Sequence, residues 1–121
     1  MRTRESTIGK TSFLVFTQNR YVTVATASIA LFYIRHTSSS ILCFDRHEYF
    51  VDYSLDHLQD HLSEQQFFRV NRQYLVNFTA VKEVEHYFAR KLQVKLAVPL
   101  TENLLVPREK ASAFLRWLGN R

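Results

Sequence analysis

Three short segments interrupt the apolar pattern of this 121-residue chain with side chains suited to a polyanion. The first is Arg35-His36-Thr37-Ser38-Ser39-Ser40, whose small hydroxyls allow close approach to a phosphate or a base edge. The second, Arg69-Val70-Asn71-Arg72-Gln73, is a dense array of hydrogen-bond donors between two apolar runs. An Arg can bond both acceptors of guanine, and Asn or Gln can bond the acceptor–donor pair of adenine. The third, Pro107-Arg108-Glu109-Lys110, opens the last helical pattern. Free N–H groups and the helix dipole favour phosphate at such a position. Each segment also has a plain structural reading: a turn, a solvated edge, a charged first helical turn. Composition alone does not place the three on one surface.

Other chemistry is weakly represented. His57 and His61 stand four apart, a spacing that can hold a metal, but they fall opposite the Leu55/Leu58/Leu62 stripe and lack the Glu of a metalloprotease helix. Solvent-exposed histidines are the expectation. Cys43 lies among Ile41, Leu42 and Phe44, which reads as a buried, inert thiol, and nothing orients His36 or His47 towards it. Two glycines in the whole chain leave no room for a Gly-rich phosphate loop. The expectation is a non-enzyme with no cofactor and no metal.

Charge is distributed in blocks. Residues 1–44 carry five basic side chains and one acidic, 45–64 one basic and six acidic, and 65–121 ten basic and four acidic. A solubilising surface explains any such excess. The functional alternative is a basic face for a polyanion with an acidic face turned away from it. A single cysteine excludes an internal disulfide and suits a reducing cytoplasm. No apolar run is long enough to span a bilayer as a helix, so no membrane partner is expected. Residues 1–11 lack a signal-peptide pattern and read as a linker or chain end, the remnant of a longer protein; residues 12–121 read as one domain.

The elements that must position these groups are mostly strands. Ten Phe and six Tyr suit pleated, half-buried surfaces. Residues 13–16 and 21–24 predict a hairpin, 29–34 and 41–44 two further strands, and 48–51 a fifth. Leu55, Leu58 and Leu62 then recur at helical spacing behind Ser54, a natural N-cap. Strands are expected again at 67–70, 74–76, 80–88, 92–98 and 104–106. A closing helix puts Ala111, Phe114, Leu115 and Leu118 on one face.

The run Phe67-Phe68-Arg69-Val70-Asn71-Arg72-Gln73-Tyr74-Leu75-Val76-Asn77 resembles the central signature of LytTR domains, the effector domains of LytR/AlgR-family response regulators. The likeness continues through Ala80-Val81-Lys82-Glu83-Val84 to Val106-Pro107-Arg108-Glu109-Lys110, Phe114 and Trp117-Leu118, and covers roughly residues 12–118. It implies a mainly β, elongated antiparallel fold of small sheets, with one helix between strand blocks and one at the C-terminus. It also implies duplex-DNA binding in cytoplasmic gene regulation, by loops in the major groove at paired direct repeats, with a receiver domain upstream. Carried over residue by residue, Arg72, Arg108 and Ser39 match base-contacting positions. Arg69, Asn71, Gln73, Lys110, Ser38 and Ser40 are phosphate or auxiliary contacts. Two departures bear on sequence preference: Pro107 replaces the family's usual Ser, and Ser39 is short for base readout.

The rival reading is a β-rich protein-interaction module of a signalling protein whose charge only solubilises it. A small hydrolase lacks a nucleophile. A single-strand binder requires exposed aromatics for stacking, whereas the aromatics here lie mostly within strand patterns.

Overall fold

A computed structural model describes residues 9–121. Most of the expected linker, residues 1–8, lies outside the described residues. The next three residues run against the domain: the Lys10 N–H donates to His61 O at 2.8 Å, and Thr11 O accepts from the Thr26 N–H at 2.9 Å. Gly9 has φ +64°, and a Cβ there would come within 2.5 Å of the Ser63 nitrogen, so only glycine fits.

The strands are β1 (Ser12–Thr17), β2 (Arg20–Ala25), β3 (Ile29–Arg35), β4 (Ser38–Cys43), β5 (Glu48–Val51), β6 (Phe67–Arg69), β7 (Tyr74–Asn77), β8 (Val81–His86), β9 (Leu92–Leu96) and β10 (Leu104–Val106). Helix α1 (Leu55–His61) lies between β5 and β6, and α2 (Arg108–Gly119) closes the chain. All pairings are antiparallel, in sheets ordered β1-β2, β5-β4-β3-β7-β6 and β10-β9-β8. The β1–β2 hairpin turns on Gln18 and Asn19, both at positive φ, a backbone that matches the strands' twist.

The five-stranded sheet is buried on both faces at its centre, which is why β3 and β7 read as continuous apolar runs. On one face Phe32, Ile41, Cys43 and Leu75 pack against Phe13, Val15 and Val24 of the hairpin and Leu55, Leu58 and Leu62 of the α1 segment. On the other, Leu31, Tyr33, Tyr74 and Val76 meet Leu92, Val94, Leu104, Val106 and Phe114. Ser54 caps α1, its Oγ accepting from the His57 N–H at 3.0 Å. Buried Asn77 donates from Nδ2 to Ile29 O at 2.9 Å and accepts from the Thr79 N–H, so the last residue of the central signature is structural.

Two local expectations change. The six-residue polar loop after β3 contracts to the turn His36–Thr37, because Ser38, Ser39 and Ser40 pair with Arg35, Ile34 and Tyr33 in the β3–β4 ladder. Backbone pairing is indifferent to their apolar content. In α2, Leu115 is 47% exposed, while Trp117 packs against the core beside Phe114, Ala111 and Leu118. A helix advances by roughly 100° per residue, which carries Leu115 past the edge of the stripe and brings Trp117 to its other side.

Candidate nucleic-acid interface

The turn between β6 and β7 is built from its own polar residues. Its base is closed by Val70 N–H donating to Tyr74 O at 3.0 Å. Asn71 Oδ1 accepts from the Gln73 N–H at 2.8 Å, tightening the bend, while Asn71 Nδ2 donates to Leu105 O at 2.9 Å. Arg69 braces the turn from behind. Its Nε donates to Asn71 O and its Nη2 to Arg72 O, both at 2.9 Å. Its Nη1 donates to Asp56 Oδ1 at 2.8 Å and Gln59 Oε1 at 3.2 Å on α1. With every guanidinium nitrogen engaged inside the protein, Arg69 has its geometry set by the fold. The carbonyl of Arg72 is held, and its side chain is exposed.

Helix α2 begins beside this turn. Pro107 is its N-cap in extended conformation and offers no side-chain cap. Lys110 donates from its backbone N–H to Pro107 O at 2.9 Å and from Nζ to Arg69 O at 3.0 Å. Burial, then the neighbouring Arg69 charge, lowers the Lys110 amine below its ordinary pKa. Arg108 is exposed in the first turn. A cleft of about 350 Å³ is lined by Asn71, Arg72, Lys91, Leu105, Pro107, Glu109 and Lys110. The β6–β7 turn and the start of α2 therefore share one side of the molecule.

The β3–β4 turn extends this surface. Gln73 O accepts from the Ile34 N–H at 3.0 Å. A second cleft, of about 400 Å³, places Gln73 with Arg35, His36 and Arg46. Arg35 lies over the Tyr33 ring at 5.2 Å. Glu48 and Glu102 stand in the same cleft and accept from the Tyr33 and Tyr74 hydroxyls, so the positive potential is diluted at this end. Burial, then these carboxylates, raises both phenol pKa values.

The structure thus sorts the expected site residues. Arg72, Gln73 and Arg108 are exposed; Arg72 lines the cleft with Pro107 and Glu109, the residues on either side of Arg108, and Gln73 lines the adjoining one. Arg69, Asn71 and Lys110, expected as phosphate or auxiliary contacts, are held in bonds that shape the turn. Ser39 is 5% exposed between Ile34 and Val51, with Ser38 and Ser40 half-buried. The exposed part of that segment is Arg35-His36-Thr37. Lys91 was missed; it follows Ala89 and Arg90, both at positive φ in the β8–β9 turn. A basic pair between two strand patterns was its signal. The acidic stretch is not remote from the basic one either, since Asp56 reaches Arg69.

Elsewhere the chemistry is quiet. Burial, then Asp45, pushes the Cys43 thiol up to about 11, leaving it protonated at neutral pH. His57 and His61 are exposed and stacked at 4.2 Å, with His61 Nδ1 2.8 Å from His57 O. Among the described residues no three His, Cys, Asp or Glu side chains gather as a metal site, and no helix is long and apolar enough to cross a membrane.

Small antiparallel sheets presenting cations from a braced turn and a helix start form the frame of a β-rich DNA-binding module. The chain belongs to the LytTR DNA-binding domain family, whose sequence profile matches residues 19–119. Among solved structures it is similar to the LytTr DNA-binding domain of a Bacillus cereus protein described as a methyl-accepting/DNA response regulator. That match has a TM-score of 0.77 and 19% identity, and covers 92% of this chain and 99% of the other. At that identity the likeness concerns the fold. No curated protein sequence matches the chain.

Proposed function

We propose that this chain is a sequence-specific duplex-DNA-binding effector domain of a bacterial transcription regulator, without catalytic activity, acting in the cytoplasm. The observation that carries the reading is the shared cleft of the Arg72 turn and the α2 start, tied by Asn71 Nδ2 to Leu105 O. Arg72 and Arg108 enter successive positions of the major groove and read bases. Gln73, Lys91 and the uncapped N–H groups of α2 hold phosphates, with Ser38 and Ser40 secondary to them. Phosphate contacts set the register and carry most of the salt dependence. Arg69, Asn71 and Lys110 serve as braces, and the buried Ser39 has no direct reading role. Paired direct repeats and an upstream receiver domain complete the arrangement by resemblance to the family.

Selection from a random duplex library at moderate salt, followed by footprinting, tests this. The expected result is a defined motif protected in two segments. Recovery of random sequence would refute base reading. One observation favours the rival, a protein-interaction module without DNA binding: Leu14, Phe16 and Tyr21 stand exposed on the outer face of the β1–β2 hairpin. That reading requires negligible DNA affinity even at low salt.

A further inference from the structure

Arg69 connects α1 to the carbonyls of the two peptides that flank Arg72, those of Asn71 and of Arg72 itself. Its fork is planar and rigid, so the acceptors on one edge set the orientation available to the other. On the α1 edge are Asp56 Oδ1 and Gln59 Oε1; on the turn edge are Asn71 O and Arg72 O. Lys110 Nζ holds the carbonyl of Arg69 itself from the α2 side. We infer that Asp56 and Gln59 are positioning residues for Arg72, so that α1, through Arg69, sets how well the protein discriminates among DNA sequences. The inference rests on the proposed role of Arg72 in base reading.

Two physical points make the inference separable from a general structural role. The Asp56 carboxylate is 88% exposed while the Arg69 side chain is 15% exposed, and Arg69 keeps Gln59 Oε1 and two turn carbonyls as acceptors when the Asp56 charge is removed. Neutralising it therefore leaves the fold in place and loosens the hold of α1 on the guanidinium, which keeps only neutral acceptors there. Removing a carboxylate near a basic surface also strengthens non-specific attraction to DNA. Looser positioning of Arg72 weakens binding at the preferred site. The two effects have opposite signs on the two kinds of duplex.

The test measures Kd for a selected duplex and a scrambled one at the same salt. It compares the parent protein with Asp56→Asn, Asp60→Asn, Arg72→Ala and the double variant Asp56→Asn/Arg72→Ala. Asp60 is exposed on the same helix and does not bond Arg69, so it controls for charge. Asp56→Asn is expected to bind the scrambled duplex as well as the parent or better, and the selected one about 3- to 10-fold more weakly. Asp60→Asn keeps the parent's preference. In the Arg72→Ala background, Asp56→Asn costs nothing further on the selected duplex. Equal behaviour of the two Asn variants, or a loss that persists without Arg72, would overturn the inference. A parent that does not distinguish the duplexes would instead remove the base-reading role, and the inference with it. Should Asp56→Asn unfold, as judged by urea melting, Gln59→Ala provides the same comparison.

Discussion

Asn71 spans the interface: its Oδ1 bends the β6–β7 turn, and its Nδ2 donates at 2.9 Å to the carbonyl of Leu105, two residues ahead of Pro107. One side-chain amide thus fixes the spacing between the Arg72 turn and the helix that begins with Arg108. Asn71→Asp keeps the bend but sets a carboxylate oxygen against a carbonyl. It is expected to cost about 1–3 kcal/mol of stability and to weaken binding to a selected duplex. Urea melts and titrations check both; a variant matching the parent in each would show that the amide is not a brace.

Arg72→Ala and Arg108→Ala remove exposed side chains, so stability should stay within about 0.5 kcal/mol. Each is expected to cost about 1–3 kcal/mol on the preferred site and to relax the motif at one position. Lys91→Ala should instead weaken binding to all sequences alike and lower the salt slope by about 1. Equal binding of the Arg variants and the parent to a selected site would refute the base-reading roles.

Ser39 is covered by its strand neighbours. Ser39→Ala is expected to leave DNA affinity and motif unchanged, whereas Arg35→Ala should reduce affinity at low salt. A clear loss of specificity in Ser39→Ala would require the β3–β4 edge to open on binding.

His57→Ala combined with His61→Ala should not alter DNA binding, and the parent should not retain zinc after dialysis. Elemental analysis and titration decide this. Tight zinc in the parent would turn the stacked pair into a metal site.

Alkaline lability is predicted from three buried groups. Cys43 has its pKa raised from 9.0 to about 11, and Tyr33 and Tyr74 are raised above 10.0. A raised folded pKa contributes stability that is complete below the unfolded value and is lost as pH rises through the folded one. Stability should therefore fall from about pH 9 upward, by at most about 3 kcal/mol for Cys43 alone. Lys110, lowered from 10.5, contributes with the opposite sign up to that value. Cys43→Ala should flatten the curve between pH 9 and 11 in urea melts; an unchanged slope would count against thiol burial as the cause.

Much of the scaffold was legible because its signals are local. Ser54 precedes a leucine repeat, Tyr74-Leu75-Val76 has no polar interruption, and Leu92 to Val98 alternates. Each reports the burial of one face or two. The edges of elements were less legible. The serines of β4 look like a loop because their pairing partners lie across a turn, and Leu115 misleads because the stripe of α2 is centred nearer Trp117.

Sequence by itself determined that cations cluster at residues 35, 69–72 and 108–110, and that a mostly β core separates them along the chain. Only the tertiary structure decided which cations are free. Arg69 and Arg72 are the same residue three positions apart, yet one is bonded to Asp56 and Gln59 while the other stands in solvent. A donor's fate depends on acceptors brought near by folding: beside its two local carbonyls, Arg69 finds Gln59 and Asp56 10 and 13 positions away, and Lys110 finds the Arg69 carbonyl 41 away, beyond the reach of any local pattern.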